Sequence, residues 1–147
     1  MFRSIVVGTD GSDTATQAVR QAVDLAHAVG AKLELVSAYE PVPAQRLREE
    51  RREAPEDLQW AINPREDVEG TLEAAKAVAT ERGVPVNSYA RQGDPADAIL
   101  DVAEEQEADL IIVGNKGMTG ARRFLLGSVP NKVSHHAPCS VLIIRTT

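Results

Sequence analysis

Residues 109–128 read DLIIVGNKGMTGARRFLLGS, an apolar run followed by four glycines within residues 114–128. The run 110–113 is apolar at every position, as expected of a central strand in a parallel sheet that is covered on both faces. Glycine adds nothing to a core and loses more backbone freedom on folding than any other residue. The glycines therefore either permit a tight turn or leave room for a molecule that must touch the backbone.

The rest of the chain alternates short apolar runs with longer helical periods. Apolar residues at three- and four-residue spacing from Ala15 to Val29 predict a helix that Ser12 or Asp13 caps and Gly30 ends. The other helices are predicted from 63 to 83, after 95 and over 128–136, and the five strands over 5–7, 33–39, 86–91, 110–113 and 141–144. This order predicts an α/β fold with a doubly wound parallel sheet, in one domain over 1–147.

The segment 41–62 interrupts this alternation. It contains Pro41, Pro43 and a dense run of charged residues at 45–53. A connection of this length within a compact domain is usually either functional or disordered. We expect a flexible, solvated segment, and the alternative is a flap that carries Trp60.

Composition and charge restrict the classes of partner. The chain has 22 acidic and 16 basic residues, a formal net charge of −6, which repels a polyphosphate backbone and disfavours nucleic acid. The apolar run at 5–7 is too short for a signal sequence or a membrane span. Cys139 is the single cysteine, so a disulfide within the chain is excluded. We expect a cytoplasmic protein with neither nucleic-acid nor membrane partners.

The glycine stretch has the features of an anion site. It follows a strand at the sheet edge where open α/β folds bind ligands. Gly114 and Gly117 let the backbone approach a ligand, and Gly127 and Ser128 open a helix whose first N–H groups carry partial positive charge. The same loop contains the basic residues Lys116, Arg122 and Arg123. The pattern matches neither the P-loop nor the GxGxxG fingerprint, yet it predicts a phosphate-binding loop.

The spacing G-x2-G-x9-G-S, over Gly114, Gly117, Gly127 and Ser128, resembles the nucleotide-binding motif of the universal stress protein family. The stretches IVVGTDGS at 5–12 and SHHAPCSVLIIR at 134–145 are similar to the same family. The resemblance covers nearly the whole chain outside 41–62. It implies a Rossmann-like, adenine nucleotide alpha hydrolase-like fold, with three α/β/α layers around five strands in the order 3-2-1-4-5.

The resemblance also implies binding roles for residues at the strand ends and at the start of the last helix. They are Gly8, Thr9 and Asp10 after the first strand, Ala38 at the adenine position of the second, and Val113, Gly114, Lys116, Gly117, Gly127, Ser128 and Val129 around the glycine loop. For Asp10 the alternative is a purely structural turn in which its carboxylate accepts a local backbone hydrogen bond. Many family members have a small polar residue followed by Arg or His where this chain has Asn115 and Lys116. The charge is kept, but the preference among adenine nucleotides could differ.

As function, the resemblance implies a stress or signalling protein that binds ATP, with Mg²⁺ contacted indirectly by Asp10, and whose ligand state alters its partners. Cyclic AMP is the alternative ligand, and a homodimer through the strand at 141–145 is implied as well. A slow ATPase and a dimeric interaction module with a vestigial pocket are the competing hypotheses. Hydrolysis needs a positioned water and charge stabilisation, and no candidate base is evident in the sequence, so binding with at most weak hydrolysis is expected.

Overall fold

A computed structural model describes residues 1–39, 65–115 and 126–146. Its strands are β1 (Ser4–Gly8), β2 (Lys32–Tyr39), β3 (Val86–Gln92), β4 (Leu110–Gly114) and β5 (Ser140–Ile144), and its helices are α1 (Asp13–Val29), α2 (Arg65–Glu81), α3 (Pro95–Glu105) and α4 (Ser128–His136). The predictions for the segment 41–62 and for a flap at Trp60 lie outside the described residues.

The strands form one sheet in the order β3-β2-β1-β4-β5, and each pairing is parallel. The order 3-2-1-4-5 and the doubly wound α/β class are therefore confirmed. The central strand β1 pairs with β2 on one side and with β4 on the other. The chain thus builds the sheet outward from β1 through β2 to β3, then returns past β1 to add β4 and β5.

Helix α1 begins and ends where the sequence predicts. The Ser12 hydroxyl accepts a hydrogen bond from the Ala15 N–H, and Gly30 adopts a left-handed conformation that closes the helix on the Ala26 carbonyl. The apolar face is buried at 18, 19, 22, 23 and 26. Val29 has the same spacing and is 38% exposed, because it is the last residue of the helix.

The sheet is covered on both faces, which gives the three layers. Helices α1 and α2 pack on one face, against Ile5 and Leu35 among others. Helices α3 and α4 pack on the other face, against Val6 and Ile111. Successive side chains of a strand point to opposite faces, so the uniformly apolar strands supply both cores at once. Within the described ranges, no helix combines the length and the apolar character that crossing a membrane requires.

One acidic side chain, Glu34 of β2, is completely buried on the face covered by α3. The Nζ atom of Lys32 lies 3.6 Å from Glu34 Oε1 and provides the opposite charge. Burial, followed by the influence of Glu34, raises the pKa of the Tyr89 phenol to about 12. The Arg91 guanidinium lies 5.4 Å from the Tyr89 ring centroid and makes hydrogen bonds of 2.8 and 3.0 Å to Glu105. This cluster joins β2, β3 and α3.

Candidate functional site

The carboxyl ends of β1, β2 and β4 meet at one edge of the sheet. Because the strand order reverses between β1 and β4, the segments that follow them leave towards opposite faces, and a crevice opens between them. The crevice measured out to its open mouth has a volume of about 760 Å³. This volume includes solvent at the mouth, so the crevice is an open cleft and not an enclosed cavity.

The structure brings most of the predicted site residues to this cleft. Gly8, Thr9, Asp10, Ala38, Val113, Gly114 and Val129 line it. Gly127 and Ser128 lie at the start of α4, adjacent in sequence to Val129. Lys116 and Gly117, with the basic residues Arg122 and Arg123, lie outside the described residues.

The loop after β1 is held by hydrogen bonds from its own side chains. The Thr9 hydroxyl accepts from the Gly11 N–H at 3.2 Å, and Asp10 Oδ1 accepts from the Ser12 N–H at 2.9 Å. The Ser12 hydroxyl in turn accepts from the Ala15 N–H at 3.2 Å. Asp10 therefore makes the local turn that was the alternative to a binding role, and the same residue lines the cleft.

A close contact with α2 restricts the same loop from behind. Gly11 has a φ of +83°, in the left-handed region that favours glycine. A Cβ atom at Gly11 would lie 2.9 Å from Thr71 Oγ1. The loop between Asp10 and Ser12 therefore rests directly on α2, and a side chain at position 11 would push it away.

The N-terminus of α4 offers hydrogen-bond donors. Gly127 is the N-cap residue, in an extended conformation, and has no side chain to cap the helix. The N–H groups of Ser128 and Val129 have no carbonyl one turn earlier within the helix. Pro130 has no N–H, and the Asn131 N–H already donates to the Gly127 carbonyl at 3.0 Å. Among the described residues, the N–H groups of Ser128 and Val129 and the Ser128 hydroxyl are the hydrogen-bond donors at this helix end.

Gly8 also has a packing role that the sequence did not reveal. A Cβ atom at Gly8 would lie 2.4 Å from Ile99 Cδ1 and 3.0 Å from Ile99 Cγ1. Ile99 belongs to α3 and itself lines the cleft. The missing side chain at position 8 thus allows α3 to approach the end of β1.

Sequence reasoning missed other residues of the cleft wall. They include Ser12, Thr14, Ser37, Pro95, Ile99 and Pro130. Ser12 and Thr14 could have been found, because they directly follow Asp10 and begin α1. Pro95 and Ile99 reach the cleft from α3, the helix after β3, and no local sequence motif predicts that they lie there. Asp10 is the one ionisable side chain among the described residues that line the cleft.

The chain is similar to known proteins in sequence and in fold. The sequence profile of the universal stress protein family matches residues 1–145. Universal stress protein Rv1636 of Mycobacterium tuberculosis is 38% identical over 149 residues, covering 99% of this chain and 98% of that protein. A solved universal stress protein in complex with cAMP is 32% identical, with a TM-score of 0.73, over 99% of this chain and 98% of that chain. The universal stress protein from Archaeoglobus fulgidus in complex with dAMP is 25% identical, with a TM-score of 0.68, over 98% of each chain.

The contact between Gly8 and α3 leads to a first prediction. Gly8→Ala should lower the free energy of unfolding by about 0.5–1.5 kcal/mol, because the added methyl forces Ile99 Cδ1, the end of a flexible side chain, to move from its position. Ile99→Val removes that atom, so the double variant Gly8→Ala/Ile99→Val should be more stable than the sum of the two single changes predicts. Urea unfolding of the four proteins measures this coupling.

Gly70→Ala is the matched control, since nothing lies within 4 Å of a Cβ atom at that position of α2. In a helix this change should be neutral or stabilise by up to about 1 kcal/mol. Strict additivity of the Gly8 and Ile99 changes would show that the predicted overlap does not exist.

Proposed function

The chain belongs to the universal stress protein family, and from this we propose that its cleft binds an adenine nucleotide. The observation that carries the proposal is the N-terminus of α4 beside the cleft. There Ser128 and Val129 present backbone N–H groups without helical partners, together with the Ser128 hydroxyl. Such a helix end attracts a phosphate group through its N–H groups and its partial positive charge.

The adenine base of the nucleotide would bind at the side of the cleft that β2 and α3 form. Ser37 and Ala38 lie near the carboxyl end of β2 there, and Pro95 and Ile99 of α3 provide apolar surface. A flat base can lie against apolar side chains while its edge hydrogen-bonds to backbone groups of the strand end. Strands β2 and β4 are separated by β1, hence by about 10 Å, which leaves space for a ribose between base and phosphate. Two solved relatives are complexes with cAMP and dAMP, which supports an adenine nucleotide as the ligand.

Among the adenine nucleotides we propose ATP together with Mg²⁺. The open start of α4, with Gly127 as its N-cap, would hold phosphate through Ser128 and Val129. Lys116 and Gly117 of the motif would contribute. Asp10 lines the same cleft, and its carboxylate would act on the metal indirectly. Cyclic AMP is the alternative ligand, and the cAMP complex of the relative at 32% identity favours it.

The proposed role is that of a cytoplasmic stress-response or signalling protein whose nucleotide state changes its interactions with partners. We propose binding with at most weak hydrolysis. Hydrolysis requires a positioned water, a metal and stabilisation of the developing charge. Asp10, the one ionisable group in the described cleft wall, already accepts the Ser12 N–H.

We further propose a homodimer through residues 141–145. Strand β5 is at the edge of the sheet, and Leu142 in its centre is 39% exposed. An edge strand with an exposed apolar side chain favours pairing with another chain.

Ser128→Ala tests the phosphate end of the cleft. Removing a hydroxyl that donates to a charged oxygen costs roughly 1.5–3 kcal/mol, so nucleotide affinity measured by calorimetry should fall about tenfold or more. Ser134→Ala is the control: it makes the same change in the same helix, where the hydroxyl donates to the Asn131 carbonyl at 2.8 Å. If wild-type protein binds no adenine nucleotide, the proposed function is wrong. Equal affinity of wild type and Ser128→Ala would show that the phosphate does not bind at the start of α4.

Asp10→Asn separates the structural and metal-related roles of Asp10. The asparagine oxygen can still accept the Ser12 N–H, so the free energy of unfolding should stay within about 0.5 kcal/mol of wild type. The affinity for ATP with Mg²⁺ should fall several-fold, and the affinity for cyclic AMP should not. Tight, metal-independent binding of cyclic AMP together with weak ATP binding would reverse our ranking of the two ligands.

Leu142→Lys tests the dimer. A charge at the exposed centre of β5 should shift the protein towards monomer in sedimentation at micromolar concentration, because pairing would bury that charge. Val29→Lys is the control, an equivalent change at an apolar residue of similar exposure on α1. A wild-type protein that sediments as a monomer would contradict the proposed dimer.

A further inference from the structure

Asn115 connects three parts of the chain at the end of β4. Its backbone N–H donates to the Ile144 carbonyl at 2.8 Å, and its own carbonyl accepts the Gly127 N–H at 3.0 Å. Its side-chain Oδ1 accepts the Thr146 N–H at 2.8 Å and the Thr146 hydroxyl at 3.2 Å. Asn115 thus contacts Ile144 at the end of β5, Thr146 two residues further along the chain, and Gly127 at the N-cap of α4.

The two contacts from Thr146 fix the orientation of the Asn115 side chain. The Thr146 N–H can only donate, so the atom facing it must be the amide oxygen and not the amide nitrogen. The hydroxyl of the same threonine reinforces this orientation. Asn115 is therefore held from both its backbone and its side chain.

The carbonyl of Asn115 acts directly on the phosphate end of the cleft. Gly127, whose N–H it holds, is the N-cap residue of α4. The position of the N-cap sets the direction of the following N–H groups, those of Ser128 and Val129. A displacement of Asn115 would therefore change the direction of these N–H groups, although Asn115 itself need not contact a ligand.

We infer that Asn115 is a positioning residue for phosphate binding, and that Thr146 fixes it from beyond β5. The inference rests on the proposed function, since it assigns a role within the same cleft. A merely structural contact at Asn115 would affect the binding of all ligands alike. If Asn115 positions the start of α4, its loss weakens binding of ligands that carry phosphate and spares adenosine, which has none.

The test uses the full chain and compares AMP with adenosine as calorimetric probes. Asn115→Leu keeps the approximate size of the side chain and removes the acceptor of two hydrogen bonds. We expect its affinity for AMP to fall about tenfold and its affinity for adenosine to change less than about twofold.

Two variants of Thr146 keep the test informative if Asn115→Leu folds poorly. Thr146→Val removes the hydroxyl and keeps the N–H, so AMP affinity should fall about threefold with adenosine unaffected. Thr146→Ser retains both donors and should bind both probes like wild type. Thermal unfolding of each unliganded variant shows whether the fold is intact.

The outcomes separate the two levels of the proposal. If wild type binds neither AMP, nor ATP with Mg²⁺, nor cyclic AMP, the proposed function fails and the positioning role fails with it. If wild type binds AMP and the Asn115 and Thr146 variants bind it equally well, the positioning role is wrong while the proposed function stands. Equal losses for AMP and adenosine would also overturn it, because they indicate a general structural contact.

Discussion

The reversal of strand order between β1 and β4 is the constraint on which the cleft depends. Parallel strands need crossover connections, and these are almost always right-handed. When the chain runs outward through β2 and β3 and then returns to β4, its helices must cover opposite faces of the sheet. The segments after β1 and β4 consequently diverge, and the opening between them exists before any ligand binds. Its position follows from topology, and its chemistry follows from the residues at the strand ends.

Structural hydrogen bonds and proposed ligand contacts involve the same residues in this cleft. Asp10 accepts a hydrogen bond from the Ser12 N–H and also lines the cleft. Gly127, the N-cap residue of α4, accepts one from the Asn131 N–H. The donors proposed for phosphate exist because helix geometry leaves the first N–H groups unpaired, and no side chain at Gly127 caps them. A substitution in this region can change both ligand affinity and stability, so its effect on affinity has to be compared with its effect on the unfolding of the unliganded protein.

The sequence predicted the features that depend on local patterns. Apolar periodicity located the elements, and Ser12 and Gly30 marked the ends of α1. Val29 has the same apolar spacing and is nevertheless 38% exposed, because periodicity carries no information about how far the neighbouring elements extend along a helix. The fit between Gly8 and Ile99 and the hydrogen bonds between Asn115 and Thr146 depend on distances between separate elements. No short motif encodes such distances, so these contacts became visible only in the folded structure.

We propose that the first N–H groups of α4 bind the phosphate of an adenine nucleotide. Backbone amide NMR spectra of the protein with AMP and with adenosine test this proposal. We expect large chemical-shift changes at Ser128 and Val129 with AMP, and small ones at these residues with adenosine. Changes near Ala38 should occur with both ligands, because both carry the base. Unchanged Ser128 and Val129 signals at saturating AMP, or equal changes with the two ligands, would show that phosphate does not bind at this helix end.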